Sequence, residues 1–205
     1  KTLYDYLDLP NKMYKGSLTT EKRSDRQYTV EFRDVSFRYP GSEQYALRHL
    51  SMTFKVGERL AVVGMNGSGK STLGRALAEH LGWRFIDNED LYFPKTDPDY
   101  LFAHQRTQEE VERLLLEEVQ RDDRFVFAAV KGNYGEAVLP YYRAAVLVEV
   151  PREIRLQRVQ QRSLDKFGDR AKPGGDLYER EKWFFDHISA RPEDYAERWL
   201  ASVDI

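Results

Sequence analysis

The 205-residue sequence predicts a three-layer α/β fold with a parallel core sheet and a small antiparallel β extension before it. From residue 84 onward, short apolar runs alternate with amphipathic helical segments, which is typical of a parallel sheet covered by helices. The runs at residues 125–130 and 144–150 are continuously apolar, as strands buried on both faces are. Two alternating runs, at residues 29–38 and 47–54, predict a pair of antiparallel strands ahead of that core.

The N-terminal part combines a polar segment with this strand pair. Residues 1–28 are charged and rich in turn formers, so we expect a linker-like segment there. In the first strand the alternation slips near Asp34, which predicts a β-bulge.

A glycine-rich motif follows the strand pair. Residues 64–71 fit G-x-x-x-x-G-K-[ST], directly after the apolar run 60–63 and before a helical stretch at 72–81. In such a loop the backbone N–H groups surround a phosphate chain at a helix N-terminus, the lysine reaches the β- and γ-phosphates, and the serine hydroxyl holds Mg²⁺. The sequence therefore predicts a P-loop NTPase fold that binds ATP and Mg²⁺, with Lys70 on the phosphates and Ser71 on the metal. The predicted nucleotide-binding residues of the motif are Gly64, Asn66, Gly67, Ser68, Gly69, Lys70, Ser71 and Thr72.

The remaining elements follow in order. A short apolar strand ends at Asp87, and Thr107 with Glu110 forms a capping box that opens a helix over residues 107–121. Pro151 is expected at the first position of the next long helix. That helix is predicted to run to about residue 163, a Gly- and Pro-rich segment covers 167–175, and two helices cover about 176–190 and 192–201.

The composition excludes several kinds of site and partner. The absence of cysteine excludes disulfides, thiolate metal sites and cysteine nucleophiles, and it fits a reducing compartment, so we expect a cytoplasmic protein. The formal net charge of −2 gives no general reason to expect a nucleic acid or an anionic membrane as partner. No apolar run approaches the ~20 residues that span a bilayer, so we expect no membrane segment in this chain.

The first third of the sequence resembles the nucleotide-binding domain of an ABC exporter with its preceding linker, over residues 1 to about 73. The resemblance is carried by Val30-Glu31-Phe32-Arg33-Asp34-Val35-Ser36-Phe37-Arg38-Tyr39-Pro40, Ala46-Leu47, Val56-Gly57-Glu58 and the run from Val63 to Ser71. It implies that Tyr39, the aromatic residue before proline, stacks on adenine.

From about residue 72 the ABC resemblance is expected to stop. The sequence has no Leu-Ser-Gly-Gly-Gln motif, no apolar strand ending in Asp-Glu and no histidine after such a strand. An ABC ATPase completes its site with the Ser-Gly-Gly loop of a partner subunit, so an ABC-type sandwich dimer is not expected here. The relation to a transporter would then reflect only common ancestry, or a transport function would depend on an upstream membrane domain.

The rest of the sequence resembles a small P-loop kinase of the adenylate, shikimate and gluconate kinase type. The matching segments are residues 71–78, 85–90, 150–156 and 167–170 with 173–176. The sequence therefore indicates a chimera joined near the phosphate loop, and a divergent single-family protein is the alternative. The expected division is a linker at 1–28 and one P-loop NTPase domain at 29–205, ABC-like over 29–73 and kinase-like over 74–205, with a lid at about 155–176.

The kinase resemblance implies roles for particular side chains. Asp87 is expected to help hold Mg²⁺ and to accept or orient the substrate hydroxyl, with Glu89 and Asp90 as weaker candidates. On the helix after Pro151, Arg155, Arg158 and Arg162 are spaced i, i+3 and i+7 and form a stripe of arginines on one face. The resemblance implies that Arg158, Arg162 and Arg170 belong to the lid and neutralise charge on the transferring phosphoryl group. Two further expectations come from the residues themselves. Lys131 follows the strand at 125–130 at the carboxyl edge of the sheet and is a candidate to bind a phosphate or carboxylate, with a simple turn as the alternative, and Trp183-Phe184-Phe185 is expected to be core.

Three functions remain open at this point. The first is ATP-dependent phosphoryl transfer to a small-molecule acceptor. The second is a folded scaffold that binds ATP without turnover, and the third is an ATPase subunit of an ABC transporter. The expected partners are a nucleotide and a small phosphate acceptor, without nucleic acid.

Overall fold

The core of the molecule is a four-stranded parallel sheet in the order β4-β5-β3-β6. The computed structural model describes residues 29–37, 45, 47–55, 59–122, 124–132 and 134–203. The strands of this sheet are β3 (Leu60–Val63), β4 (Arg84–Asp87), β5 (Phe125–Ala129) and β6 (Ala144–Leu147). A separate antiparallel pair, β1 (Thr29–Phe37) and β2 (Leu47–Lys55), precedes it.

Helices connect the strands of the parallel sheet and cover both of its faces. They are α1 (Lys70–Leu81), α2 (Asn88–Tyr92), α3 (Gln108–Arg121), α4 (Arg152–Phe167), α5 (Tyr178–Ser189) and α6 (Tyr195–Ala201). Short 3₁₀ turns lie at Leu139–Tyr141 and Gly168–Ala171. Across the residues that the structure describes, no helix combines the length and the apolar character needed to cross a membrane.

Two apolar cores lie on opposite faces of the sheet. On one face, Ala61 and Val63 of β3 pack with Val111, Leu115 and Val119 of α3. On the other face, the alternate residues of β3 pack against α1, with Leu60 and Val62 next to Leu73, Leu77 and Ala78. Because side chains alternate across a strand, a fully buried strand such as β3 has to be covered on both sides. This arrangement confirms the predicted three-layer fold.

The β extension carries the predicted irregularity. The pairing of β1 with β2 shifts register between Phe32 and Val35, and Asp34 has a φ of 50°. The Asp34 carboxylate lies 2.6 Å from Nδ1 of His49, another residue with positive φ, and the Asp34 N–H donates to the Ser51 hydroxyl at 3.0 Å. The prediction of a β-bulge near Asp34 is therefore confirmed.

Several local predictions differ from the structure. The apolar run after residue 144 forms a shorter strand, β6, which lies at the edge of the sheet and is half-buried instead of covered on both faces. Pro151 is the N-cap of α4 and not its first residue, and α4 continues to Phe167. The short helix α2 was not predicted. Trp183 was expected in the core, but 67% of it is exposed on α5.

The capping box is confirmed in full. The Thr107 hydroxyl accepts from the Glu110 N–H at 3.2 Å, and the Glu110 carboxylate accepts from the Thr107 N–H at 2.8 Å. These reciprocal bonds satisfy N–H groups at the start of α3 that otherwise lack partners.

Candidate functional site

The glycine-rich loop connects the carboxyl end of β3 to the N-terminus of α1. Its path requires left-handed backbone at Gly67, with φ of 82°, and at Gly69, with φ of 91°. Gly69 is the N-cap of α1 and offers no side-chain cap, and the first turn of the helix contains no acidic residue. The N–H groups of Lys70 and Ser71 therefore lie at the positive end of the helix dipole, which favours an anion there.

Two of the predicted loop residues use their N–H groups within the protein. Gly64 donates to the Ala129 carbonyl of β5 at 3.2 Å, and Ser68 donates to the Met65 carbonyl at 3.0 Å. A Cβ at Gly64 would lie 2.7 Å from both the Ser68 hydroxyl oxygen and the Val148 carbonyl oxygen. These contacts fix the loop against the sheet and against the segment that follows β6.

Gly67 packs directly against the backbone of α4. A Cβ at this position would lie 2.3 Å from the Arg155 carbonyl oxygen, and its positive φ already disfavours an L side chain. We expect Gly67→Ala to lower the free energy of unfolding by about 2–4 kcal/mol, because strain and overpacking act together. Urea unfolding followed by circular dichroism measures this loss.

Gly82→Ala is the matched control for that substitution. Gly82 also has a positive φ, 65°, but its Cβ would meet no atom of the described residues within 4 Å. Only the backbone strain acts in Gly82→Ala, so we expect its free energy of unfolding to fall by about 1 kcal/mol. Equal losses in the two variants would contradict the close contact of the loop with α4.

Lys70, the first residue of α1, faces a pocket and is half-buried. Burial lowers the pKa of its amine to about 8; the negative charge of Asp87 acts in the opposite direction. Arg162 lowers the Lys70 pKa further, Glu89 raises it, and Arg191 lowers it. The nearby carboxylates therefore offset only part of the cost of burying the charged amine, and a bound anion would stabilise its charged form.

The pocket next to Lys70 has a volume of about 570 Å³, which suits a small-molecule site. One end is formed by the loop, by the carboxyl end of β4 and by α4, with the side chains or backbone of Asn66, Gly67, Lys70, Ser71, Asp87 and Arg162. The strand order places β4 next to β5, and β5 next to the loop strand β3. Ligands of open α/β sheets bind at this carboxyl edge.

Asp87 has a fixed position at the end of β4. It is the N-cap of α2, and its Oδ1 accepts from the Glu89 N–H at 3.0 Å. The adjacent Asn88 also lines the pocket; its amide donates to the Tyr134 hydroxyl at 2.9 Å, while its buried Oδ1 has no partner among the described residues. The edge of β4 therefore presents the Asp87 carboxylate to the pocket in a fixed position.

The three predicted lid arginines lie in different surroundings. Arg162 lines the pocket beside Lys70. Arg158 instead donates to the Gly67 carbonyl at 3.4 Å and to the Tyr45 carbonyl at 2.8 Å, so it connects the loop to the β extension. Arg170 donates to Asp176 at 2.6 Å and to the Asp99 carbonyl at 3.0 Å, and it is not among the residues that line the pocket.

The other candidates are placed as follows. Ser71 lines the pocket, and Thr72 is half-buried in the first turn of α1. The amine of Lys131 lies 5.9 Å from the centre of the Tyr195 ring and does not line the pocket. Tyr39 lies outside the described residues, so its predicted stacking on adenine stays a prediction.

Two basic residues near the site were not predicted. Arg191 donates to the side chain of Asn66 in the loop at 3.3 Å and lowers the Lys70 pKa. Lys166 lines the pocket one turn beyond Arg162 on α4. The helical stripe of arginines could have indicated Lys166, but Arg191 follows α5 in a segment with no local signal.

The residues at this pocket fit a phosphate chain. Ser68, beside the pocket-lining Gly67, is fully buried and does not itself line the pocket; its hydroxyl has no hydrogen-bond partner among the described residues. Lys70, Ser71 and Arg162 line the same pocket, whereas the described residues contain no cluster of three His, Cys, Asp or Glu side chains for a metal. A divalent ion would therefore need ligand oxygens besides Ser71 and Asp87, which a phosphate chain and water supply.

The parallel sheet and this loop define a P-loop NTPase. A family model described as "ABC transporter" matches residues 47–165, which is more than half of the sequence. The chain belongs to the ABC transporter family, and the predicted resemblance of its first part is confirmed. The match also extends past Thr72, where the resemblance was expected to stop, into α4.

Individual relatives differ in how much of their length the chain covers. The chain is 25% identical over 154 residues to "Uncharacterized protein YqaC" of Bacillus subtilis (strain 168), which is 71% of this chain and 84% of that protein. It is 39% identical over 111 residues to the ATP-dependent lipid A-core flippase of Mannheimia succiniciproducens, covering 52% of this chain but 17% of the flippase. Among solved structures it is similar to a gluconokinase from Sinorhizobium meliloti 1021, with 18% identity, coverage of 73% and 76% of the two chains, and a TM-score of 0.41.

Proposed function

We propose that this chain binds ATP with Mg²⁺ at the glycine-rich loop and transfers the γ-phosphoryl group to a small hydroxyl-bearing acceptor. The observation that carries the proposal is the convergence of Lys70, Asp87 and Arg162 on one pocket of about 570 Å³. That volume leaves space for an acceptor next to the phosphates.

The phosphate-binding role rests on the start of α1. The N–H groups of Lys70 and Ser71 and the Lys70 amine bind the β- and γ-phosphates, and the Ser71 hydroxyl would hold Mg²⁺. The metal ion, when bound, neutralises negative charge between the phosphates. Gly67, Ser68 and the Asn66 side chain keep the loop in its shape, with Arg191 bound to Asn66 at 3.3 Å.

The transfer role rests on Asp87 and Arg162. The Asp87 carboxylate orients the acceptor hydroxyl and accepts its proton, for which its fixed position as an N-cap is suited. The Arg162 guanidinium stabilises the charge that develops on the transferring group. The predicted roles of Arg158 and Arg170 would require lid closure to break their present contacts with Gly67, Tyr45, Asp176 and Asp99.

Arg162→Met tests this assignment among the lid arginines. We expect kcat to fall about 10- to 1000-fold, because the variant removes a charge that acts in the transition state. Steady-state release of ADP with a saturating acceptor measures the change. Arg198→Met is the matched control, since Arg198 is an exposed arginine paired with Asp194 at 3.0 Å and lies outside the pocket; an equal loss there would contradict the assignment.

An ABC-type ATPase is a second candidate, which the family match and the identity to the flippase favour. The sequence lacks the Leu-Ser-Gly-Gly-Gln loop with which a partner subunit completes that site. Light scattering with ATP, with and without Mg²⁺, distinguishes the two functions. Stable ATP-dependent dimers would favour the ABC-type ATPase, and an unchanged mass favours the phosphotransferase.

We also propose that the chain has two origins that meet near the loop. The flippase match covers 52% of the chain, whereas the YqaC match covers 71% of it. The proposed division is an ABC-like part at 29–73 and a kinase-like part at 74–205, with a lid at about 155–176 and a linker at 1–28. Limited proteolysis tests the part of this division that makes residues 29–205 a single domain: one cooperative domain predicts no early cleavage between residues 60 and 150.

Titration of ATP-Mg²⁺ into the full chain by calorimetry, followed by an assay of ADP release against a panel of acceptors, tests the proposed function. Binding together with acceptor-stimulated release is the expected result. A well-folded chain that does not bind ATP would overturn the proposal. Binding without stimulated release would favour the scaffold without turnover.

A further inference from the structure

The half of the pocket that lies away from the glycine-rich loop is aromatic. Its lining includes Tyr92, Phe93, Tyr100, Phe102, Phe167 and Phe184, which come from α2, the following loop, α4 and α5. We call these six residues the aromatic half. The ring centroids of Phe93 and Phe102 are 5.1 Å apart, and those of Tyr100 and Phe167 are 5.4 Å apart. The rings are therefore held by one another, and the site that they form is rigid.

Three charged groups of this half, on Glu181, Lys166 and Arg180, already contact protein groups. The Glu181 carboxylate accepts from the Tyr100 hydroxyl at 2.8 Å and from the Ser163 hydroxyl at 2.7 Å. The Lys166 amine lies 4.2 Å from the centre of the Phe102 ring, and burial lowers its pKa. The Arg180 guanidinium lies 5.3 Å from the centre of the Tyr100 ring.

These contacts restrict the kind of ligand that can bind there. A polyhydroxylated ligand would lose its hydrogen bonds to water, and the Glu181 carboxylate already accepts hydrogen bonds from Tyr100 and Ser163. A planar ring instead buries apolar area against several aromatic side chains and needs few hydrogen bonds. An anionic ligand gains little electrostatic attraction, since the positive charges of Lys166 and Arg180 are matched by the negative charges of Glu179 and Glu181 in the same lining.

We propose that the phosphate acceptor is a neutral heteroaromatic alcohol, a planar ring that carries a hydroxyl group, which binds in the aromatic half. This inference rests on the proposed function, because it names the acceptor of that same reaction. The ring lies among the aromatic side chains, and the hydroxyl reaches Asp87 at the boundary between the two halves. The hydroxyl oxygen forms the new P–O bond to the γ-phosphorus, the bond to the β-phosphate oxygen breaks, ADP leaves, and Asp87 takes the proton.

The first experiment measures binding and turnover on the full chain with defined probes. Isomeric hydroxymethylpyridines represent the proposed class, and gluconate and shikimate represent hydroxy acids. Calorimetry is performed in the presence of a non-hydrolysable ATP analogue, and release of ADP is measured with ATP-Mg²⁺. We expect at least one ring alcohol to bind and to stimulate release, with kcat/KM at least tenfold above both hydroxy acids.

Variants at Phe102 test the contribution of the ring. Phe102→Leu keeps an apolar side chain but removes the aromatic face, and we expect the acceptor KM to rise about tenfold, with the Kd for ATP unchanged. Phe102→Tyr keeps the ring and should restore the acceptor KM. The melting temperature and the ATP affinity of each variant show whether it is folded.

The outcomes separate this inference from the function on which it rests. Failure to bind ATP would overturn the proposed function itself. ATP binding with turnover of hydroxy acids in preference to ring alcohols would overturn the inference and leave phosphoryl transfer intact. An ATP-loaded chain that binds no ring alcohol, or an unchanged acceptor KM in Phe102→Leu, would also overturn the inference.

Discussion

Replacement of Lys70 by methionine is expected to weaken ATP binding by at least a hundredfold while raising the free energy of unfolding at pH 7 by about 1–3 kcal/mol. Both effects come from the same amine. Burial lowers the Lys70 pKa to about 8 from an ordinary value of 10.5, so the charged form is disfavoured in the folded chain. Methionine fills similar volume without that cost, but it cannot bind a phosphate.

The direction of the pH dependence follows from the two pKa values. Below pH 8 the amine is charged in both the folded and the unfolded chain, and the full cost of burying the charge is present. Between pH 8 and 10.5 the folded chain loses the proton first, so the stability of the original chain rises relative to that of the variant. The stabilising effect of Lys70→Met is therefore largest near neutral pH and disappears toward pH 10.5.

Urea unfolding at pH 7 and at pH 10, together with calorimetric titration of ATP-Mg²⁺, measures both effects. Lys172→Met is the control, because Lys172 is an exposed lysine paired with Asp169 at 2.7 Å and does not line the pocket. Its ATP affinity is expected to stay unchanged, and its stability to change by less than about 1 kcal/mol. A Lys70→Met variant that binds ATP normally, or that is less stable at pH 7, would contradict the role given to the amine.

The features that could be predicted from the sequence depend on neighbouring residues. The glycine-rich loop, the capping box at Thr107 and the bulge at Asp34 each involve short-range patterns whose backbone requirements are well understood. The helical stripe on α4 likewise placed Arg162 on one face of that helix, and the structure places Arg162 at the pocket. Local geometry was sufficient for these elements.

The features that were missed depend on contacts between distant parts of the chain. Arg191 binds Asn66 across 125 residues, and Arg158 binds the Tyr45 carbonyl across 113 residues. The half-buried position of β6 follows from the strand order, which apolar periodicity does not encode. The aromatic half draws Phe93, Tyr100 and Phe102 from an irregular loop, where no regular spacing indicates which side chains meet.

Asp87→Asn is expected to lower kcat for phosphoryl transfer about 100- to 10,000-fold while the fold remains intact. The reason is that a carboxamide cannot take the proton from the hydroxyl group of the phosphate acceptor. Asparagine is as good an N-cap as aspartate, so its side-chain oxygen can still accept from the Glu89 N–H and hold α2 in place. Single-turnover transfer measured with ATP-Mg²⁺ and a bound acceptor isolates this chemical step from product release.

Asp87→Asn has a second, smaller effect, which distinguishes the influence of the Asp87 charge on Lys70 from proton transfer by the carboxylate. The Asp87 charge raises the Lys70 pKa, so its loss moves that pKa below about 8. ATP affinity is expected to fall as the pH rises and the Lys70 amine loses its proton, and in Asp87→Asn this fall should begin at a lower pH. Asp90→Asn is the matched control, since Asp90 is exposed, pairs with Lys95 and does not line the pocket. A fall in ATP affinity with unchanged kcat would limit Asp87 to supporting Lys70, whereas a fall in kcat that persists at saturating ATP places the carboxylate at the transferring proton.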